Sequence, residues 1–193
     1  KFKWDTEKYP GMKDFKKFGP FAYTAKLRNG LFRNTGACLS PQNAFYNSIG
    51  METLGLRMER VCDNAKTLAQ FFATEYSDIE VNYPGLAGSK WHNIATEQFG
   101  DKFGGIITIR TGNKKRAFGI IDALKLPLIV SNIGDTKTLV IHPESTLNVH
   151  STQEEKETAG VFDDLIRISV GIEDIDDLID DFKQAIESVK DVY

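Results

Sequence analysis

From about residue 55 onward the sequence predicts an α/β domain, a small mixed sheet with helices on one face. Three observations carry that expectation. Short alternating runs such as Gly105 to Thr111 and Leu165 to Val170 have the two-residue period of half-buried strands. Stripes at helical spacing separate them, the clearest being Ile175, Leu178, Ile179, Phe182, Ala185, Ile186 and Val189. Turn formers, among them Pro84-Gly85 and Asn132-Ile133-Gly134-Asp135, mark the boundaries.

Residues 1–37 are rich in Gly, Lys and aromatics and show little sustained periodicity, so this stretch is expected to pack on something else. Ser40-Pro41 suits a helix start, Ser40 as N-cap and Pro41 in the first turn, with the helix running to about Gly50. Apolar residues at 54, 58, 61, 62, 65, 68, 69 and 72 then define a long helix, a bridge between two structural units. Ile79 to Tyr83 reads as a strand, Lys90 to Phe99 as a short helix and Gly105 to Thr111 as a strand. Gly112 or Asn113 starts the next helix, which carries Ala117, Phe118, Ile120, Ile121 and Leu124 on its apolar positions. Leu126 to Ser131 and Thr138 to Ile141 are strand-like, and Gln153 to Gly160 is a short polar helix. Leu165 to Val170 is the last strand. The final helix opens on Glu173, Asp174, Asp176 and Asp177 and closes near Lys190, a charge order that complements the helix dipole.

The chain has 193 residues, 41% hydrophobic and 26% charged, which is ordinary for a soluble globular protein. Its net charge of −3 offers no broad cationic field for nucleic acid or an anionic membrane. The short clusters Lys13, Lys16, Lys17 and Lys114, Lys115, Arg116 read as solvated surface. No apolar run approaches the ~20 residues of a membrane helix, and no signal peptide is visible. Cys38 and Cys62 lack metal-ligand spacing, and a reduced, cytoplasmic setting is expected. His92, His142 and His150 are too scattered for a metal set or a catalytic base, and no nucleophile–base pair, phosphate loop or dinucleotide fingerprint is present. The opening Lys1-Phe2-Lys3-Trp4 reads as the middle of a gene product: a fragment, a processed half or an engineered piece.

One residue stands out for chemistry. In the strand Leu165 to Val170, Ile166, Ile168 and Val170 share one face, and Leu165, Arg167 and Ser169 share the other. With the apolar face under a helix, Arg167 is a lone cation on a rigid element, the geometry that clamps a carboxylate through two parallel hydrogen bonds. An arginine on an open strand face is more often merely solvated or salt-bridged. The polar turn Ser131 to Asp135, at the end of an apolar strand, is a common place for ligand groups.

Four collinear stretches extend this reading: Gly-Ala-Cys-Leu-Ser-Pro-Gln-Asn-Ala-Phe (36–45), Glu-Thr-Leu-Gly-Leu-Arg-Met-Glu-Arg (52–60), Ser-Asn-Ile-Gly-Asp-Thr-Lys-Thr-Leu-Val-Ile-His-Pro (131–143) and Leu-Ile-Arg-Ile-Ser-Val-Gly-Ile-Glu-Asp (165–174). With them the chain resembles the C-terminal half of a pyridoxal-phosphate-dependent enzyme of cysteine and methionine metabolism. The Ser-Asn-Ile-Gly-Asp form and Phe103-Gly104-Gly105-Ile106 favour the O-acetylhomoserine sulfhydrylase branch over cystathionine γ-synthase or methionine γ-lyase. The resemblance implies the fold type I, aspartate-aminotransferase-like architecture, with a small, mostly antiparallel mixed sheet in the C-terminal domain. Residues 1–50 would be the tail of the large cofactor domain, 51–75 a connecting helix and 76–193 the substrate-binding domain.

It further implies pyridoxal phosphate as cofactor, Arg167 as the ligand of the substrate α-carboxylate, Ser131 near the cofactor–lysine linkage and Asn132 beside it in substrate contact. The Schiff-base lysine lies upstream of this chain in the family, so no catalytic residue is assigned. Lys3, Lys13 and Lys137 do not sit in its motif, and the chain alone is expected to be inactive. Ser145-Thr146-Leu147-Asn148 departs from the family's Ser-Thr-Thr-His pattern, so no substrate-loop role is carried to 147 and 148. The implied partners are a small amino-acid substrate, the N-terminal half of the same protein and further copies, as a tetramer. The alternative class is a non-catalytic C-terminal module for assembly or ligand binding.

Overall fold

The computed structural model describes residues 17–190. Lys3 and Lys13 lie outside the described residues. The chain divides into two units, Lys1–Gly50 and Met51–Tyr193.

In the first unit the described backbone is helical where the sequence showed little period. Helix α1 (Ala22–Leu27) passes through a π-helical stretch (Arg28–Phe32) into α2 (Arg33–Thr35). Phe21, Tyr23, Leu31 and Phe32 are all exposed. The wider π turn around Gly30 shifts the angular register midway. This erases the pattern by which an amphipathic helix is recognised. Gly36 ends the segment in the left-handed region, φ 61°. Helix α3 (Pro41–Glu52) follows, and Ser40 Oγ accepts from the Asn43 amide at 3.2 Å, as the Ser-Pro start predicts.

The second unit begins with α4 (Leu54–Glu75), whose residues Val61, Cys62, Asn64, Ala65, Leu68, Ala69 and Phe72 are buried. Next come β1 (Glu80–Asn82), α5 (His92–Phe99), β2 (Ile106–Arg110), α6 (Lys114–Ala123), β3 (Leu128–Ile129) and β4 (Leu139–Ile141). Helix α7 (Gln153–Thr158), β5 (Leu165–Ser169) and α8 (Ile175–Ser188) complete it. The starts are capped as the residue types suggest. Asn113 accepts from Arg116 on α6, Asp174 accepts from Asp176 on α8, and Thr152 and Glu155 form a reciprocal capping box on α7.

The five strands form one mixed sheet in the order β1-β2-β5-β4-β3. All neighbours are antiparallel except β3 and β4, which run parallel. The expected α/β architecture therefore holds. One face of the sheet, with Ile107, Ile109, Val140, Ile166 and Ile168, packs under α4, α6 and α8 in a single core. Phe72 of α4 meets Phe182 of α8 edge to face with centroids 5.2 Å apart.

The other face carries Arg167, whose register partners are Thr108 on β2 and Ile141 on β4. Strand β3 is shorter than its apolar run. Leu128 N–H bonds to Thr138 O at 2.9 Å, and beyond Ile129 the chain leaves the sheet. Because β3 and β4 are parallel, residues 130–138 must travel back along the sheet before β4 can start. They do so over the face that holds Arg167 and Ser169.

Two stability outcomes follow from this packing. Phe72→Ala should cost about 3–5 kcal/mol in denaturant unfolding, since the ring is fully buried against Phe182. Glu144 receives Lys156 Nζ at 2.6 Å and Lys114 Nζ at 2.9 Å, and these ammonium groups hold its carboxyl at about 2. A depressed folded-state value stabilises above the unfolded value and fades as pH falls through the folded one. The melting temperature of Glu144→Gln should therefore lie below the wild type near neutrality, and the gap should close as pH drops from about 4.5 to about 2.

Candidate functional site

Strand parity places the Arg167 side chain away from the helices, between Thr108 and Ile141 of the flanking strands. The guanidinium is half-buried and held by the protein backbone. Its Nη2 donates to Ser131 O at 3.2 Å and to Asn132 O at 3.1 Å, so the returning loop lies against it. Its Nε is buried and has no hydrogen-bond partner. Among the described residues it faces no carboxylate, and burial alone pulls its pKa down from the ordinary arginine value. Arginine nevertheless stays charged. The result is a desolvated cation held by two carbonyl dipoles, with a donor left over.

A second arginine on the same sheet face shows the contrast. Arg110 Nε donates to Asp164 Oδ1 at 2.9 Å, its Nη1 lies 3.5 Å from Glu80, and its guanidinium stacks 4.0 Å from the Phe162 ring centroid. Asp164 is thus committed to Arg110 and to the Gly112 amide at 3.0 Å. A groove of about 840 Å³ runs past Arg110, Trp91 and Phe162, but its cation is already compensated. Arg167 has no such compensation among the described residues.

The loop over Arg167 is fastened along its length. Gly134, at φ 74° where only glycine is comfortable, donates its amide to Ser169 Oγ at 3.1 Å. Farther along, Glu173 accepts from the Thr138 amide and from Thr138 Oγ1, the latter at 2.9 Å, while Gly171 N–H donates to Thr138 Oγ1 at 2.9 Å. Ile172 N–H bonds to Thr136 O at 2.9 Å. Asn64 of α4 donates to the carbonyls of Gly171 and Glu173 at 3.1 and 2.9 Å. The backbones approach so closely that a Cβ on Gly171 would meet Thr136 O at 2.5 Å and the Lys137 carbonyl carbon at 2.6 Å.

The residues singled out from sequence therefore come together, with one difference in how. Ser131 and Asn132 reach Arg167 through their backbone carbonyls, and their exposed side chains make no hydrogen bond among the described residues. Sequence reasoning missed Thr138, Gly171, Glu173 and Asn64. Glu173 was read only as a dipole-matched acid. Asn64 did leave a signal: it falls on the buried stripe of α4, where a polar side chain needs partners. His142, the central histidine of the scattered set, is buried, bonded to Ser145 and to Asp163 O, and packed on Phe118. Its role is structural. No group of His, Cys, Asp or Glu that could hold a metal exists among the described residues.

The sequence profile of the Cys/Met metabolism PLP-dependent enzymes matches residues 12–187. The chain belongs to this family. Homocysteine synthase of Schizosaccharomyces pombe is 39% identical over 180 residues, 93% of this chain and 42% of that protein. L-Methionine gamma-lyase of Fusobacterium nucleatum subsp. polymorphum is 40% identical over 161 residues, 83% of this chain and 40% of the lyase. Among solved structures, a Campylobacter jejuni protein assigned provisionally as an O-acetylhomoserine (thiol)-lyase superposes with a TM-score of 0.80 at 39% identity. It covers 87% of this chain, which covers 40% of it, and it contains N'-pyridoxyl-lysine-5'-monophosphate. The chain thus has the fold of these fold type I enzymes and spans less than half the length of each relative.

A half-buried cation whose Nε is buried and unpartnered suits the carboxylate of an amino acid presented to pyridoxal phosphate. No described lysine is bonded into the Arg167 cluster, and Lys137, the nearest in sequence to its loop, is exposed. The described residues do not fit the covalent attachment point.

Gly171→Ala should destabilise the protein by about 1–3 kcal/mol in urea unfolding, because the new methyl has no room beside Thr136 and Lys137.

Proposed function

We propose that this chain is the C-terminal, substrate-binding portion of an O-acetylhomoserine sulfhydrylase. That enzyme makes homocysteine or methionine from O-acetylhomoserine and sulfide or a thiol by γ-replacement. The observation that carries the reading is Arg167: a half-buried guanidinium with no counter-ion among the described residues, its Nε unpartnered, under a polar loop. The names of the relatives supply the substrate class.

Arg167 binds the α-carboxylate and thereby fixes the amino-acid end of the substrate. The carbonyls of Ser131 and Asn132 hold one corner of the guanidinium plane, so the carboxylate approaches from the remaining edge. The free side chains of Ser131 and Asn132 border the bound substrate. Pyridoxal phosphate, when bound, is the electron sink that stabilises negative charge on the substrate carbons and lets the γ-substituent leave. Its attachment lysine comes from a preceding segment, so the chain alone is inactive. In this scheme residues 1–50 are the tail of the cofactor domain, 51–75 a connecting helix and 76–193 the substrate domain. The complete protein is a cytoplasmic homo-oligomer, a tetramer. No helix among the described residues is long and apolar enough to cross a membrane.

A charge-assisted contact contributes about 1.5–3 kcal/mol. Arg167→Ala in the complete enzyme should raise KM for O-acetylhomoserine and lower kcat/KM about ten- to a hundredfold, measured as sulfide-dependent homocysteine formation. An unchanged kcat/KM removes the carboxylate assignment.

The lyase relative supports a second reading, elimination from methionine. The two separate on product: homocysteine from O-acetylhomoserine and sulfide, or methanethiol from methionine alone.

A further inference from the structure

We propose that Thr138 and Glu173 are positioning residues for the Arg167 carboxylate clamp: they lock the loop whose carbonyls set the orientation of the guanidinium. The inference rests on the carboxylate reading given above and adds residues that touch neither substrate nor cofactor.

A carboxylate clamp needs a plane held within about 10–20° of the productive orientation. Arg167 sits on a long flexible stem, and among the described residues no side chain fixes its head. Only Ser131 O and Asn132 O do so, both on Nη2. The clamp is therefore only as rigid as the backbone at 131–132. That backbone belongs to a loop crossing an open sheet face, with Ser131 to Lys137 all exposed, so it has little burial of its own to hold it.

What holds it is the ladder to the segment after β5. Thr138 is fully buried, and its hydroxyl has two directional partners. It receives the Gly171 amide at 2.9 Å and so must donate its own proton to Glu173 Oε2, also at 2.9 Å. The second carboxylate oxygen takes the Thr138 amide. One residue thus closes a ring between the far end of the loop and the Ser169-Val170-Gly171 continuation of the strand that carries Arg167. Glu173 is anchored in turn, since its own carbonyl accepts from Asn64 Nδ2 at 2.9 Å and Arg60 Nη2 at 3.2 Å. Ser169 Oγ makes the matching tie at Gly134. Loop and clamp strand are registered by side chains whose geometry leaves no choice of donor and acceptor.

Replacing the hydroxyl by a methyl keeps the volume and opens the ring. In Thr138→Val the Gly171 amide loses its acceptor and Glu173 loses one of its two donors. Thr138→Ser keeps both. In the complete enzyme, Thr138→Val should raise KM for the amino-acid substrate about tenfold or more, the scale of a small misplacement, with kcat changed much less. It should also erode the preference for the substrate over its α-carboxamide, while Thr138→Ser restores both.

Amide exchange supplies a readout independent of turnover. In Thr138→Val, peptides covering 131–138 should exchange faster, while those of the Ile166–Ile168 core stay protected. A merely structural role would lower the melting temperature and leave KM and the carboxylate–carboxamide ratio at their wild-type values, and that result overturns the proposal. If Thr138→Val does not fold, Glu173→Gln serves, because its amide cannot accept the threonine proton while its oxygen still takes the backbone amide. An unchanged ratio there overturns the proposal equally. The failures are separable: Arg167→Ala without effect removes the carboxylate reading, whereas Arg167→Ala with a large effect and Thr138→Val with none removes only the positioning role.

Discussion

The structure depends on one electrostatic constraint: Arg167 is a charge taken partly out of water with no opposite charge against it among the described residues. Two carbonyl dipoles compensate a cation incompletely, because desolvation acts on the whole guanidinium and the dipoles reach only Nη2. Such an arrangement is expensive in the free protein and favours whatever brings an anion to the vacant donor. Arg110, two residues from Thr108 on the neighbouring strand, shows the ordinary solution, with Asp164, Glu80 and the Phe162 ring around it. Among the described residues the fold neutralises one of two neighbouring cations with carboxylates and leaves the other to two carbonyls.

Topology is what brings the loop to that charge. An antiparallel hairpin between β3 and β4 would have kept its turn at the sheet's end. The parallel pairing sends residues 130–138 back across the sheet, over the side chains of β5. The same crossing forces the backbones of 136–137 and 171 into contact, which is why a side chain at 171 has no room. One pairing choice therefore accounts for the loop, the glycine and the carbonyls on Arg167.

Much of this was legible in the sequence, for reasons particular to each element. The final helix declares itself because its apolar residues form an unbroken stripe and its acids crowd the start. Alternation over Leu165 to Ser169 separates Arg167 from the core without any knowledge of neighbours, since side-chain parity is a local property of a strand. Ordered motifs from 36 to 174 identify the family. Residues 22–35 were illegible because a π turn interrupts the helix and breaks its angular period midway. The hold of Ser131 and Asn132 on Arg167 was equally hidden. It runs through carbonyl groups that every residue possesses, and their direction is set by pairing partners far away in the chain. Glu173 escaped for a similar reason, as an acid near a helix start has a sufficient local explanation and hides a distant one.

Surface loops ordinarily tolerate changes of length at little cost. The segment between β3 and β4 is an exception. It is tied at 131–132, 134, 136 and 138 to Arg167, Ser169, Ile172 and Gly171, on β5 and the segment that follows it. A single inserted or deleted residue would put every later tie out of step, much as a slipped tooth does in a zip. This stretch should accordingly evolve by substitution and hardly ever by gaps, although it lies at the surface where gaps usually accumulate.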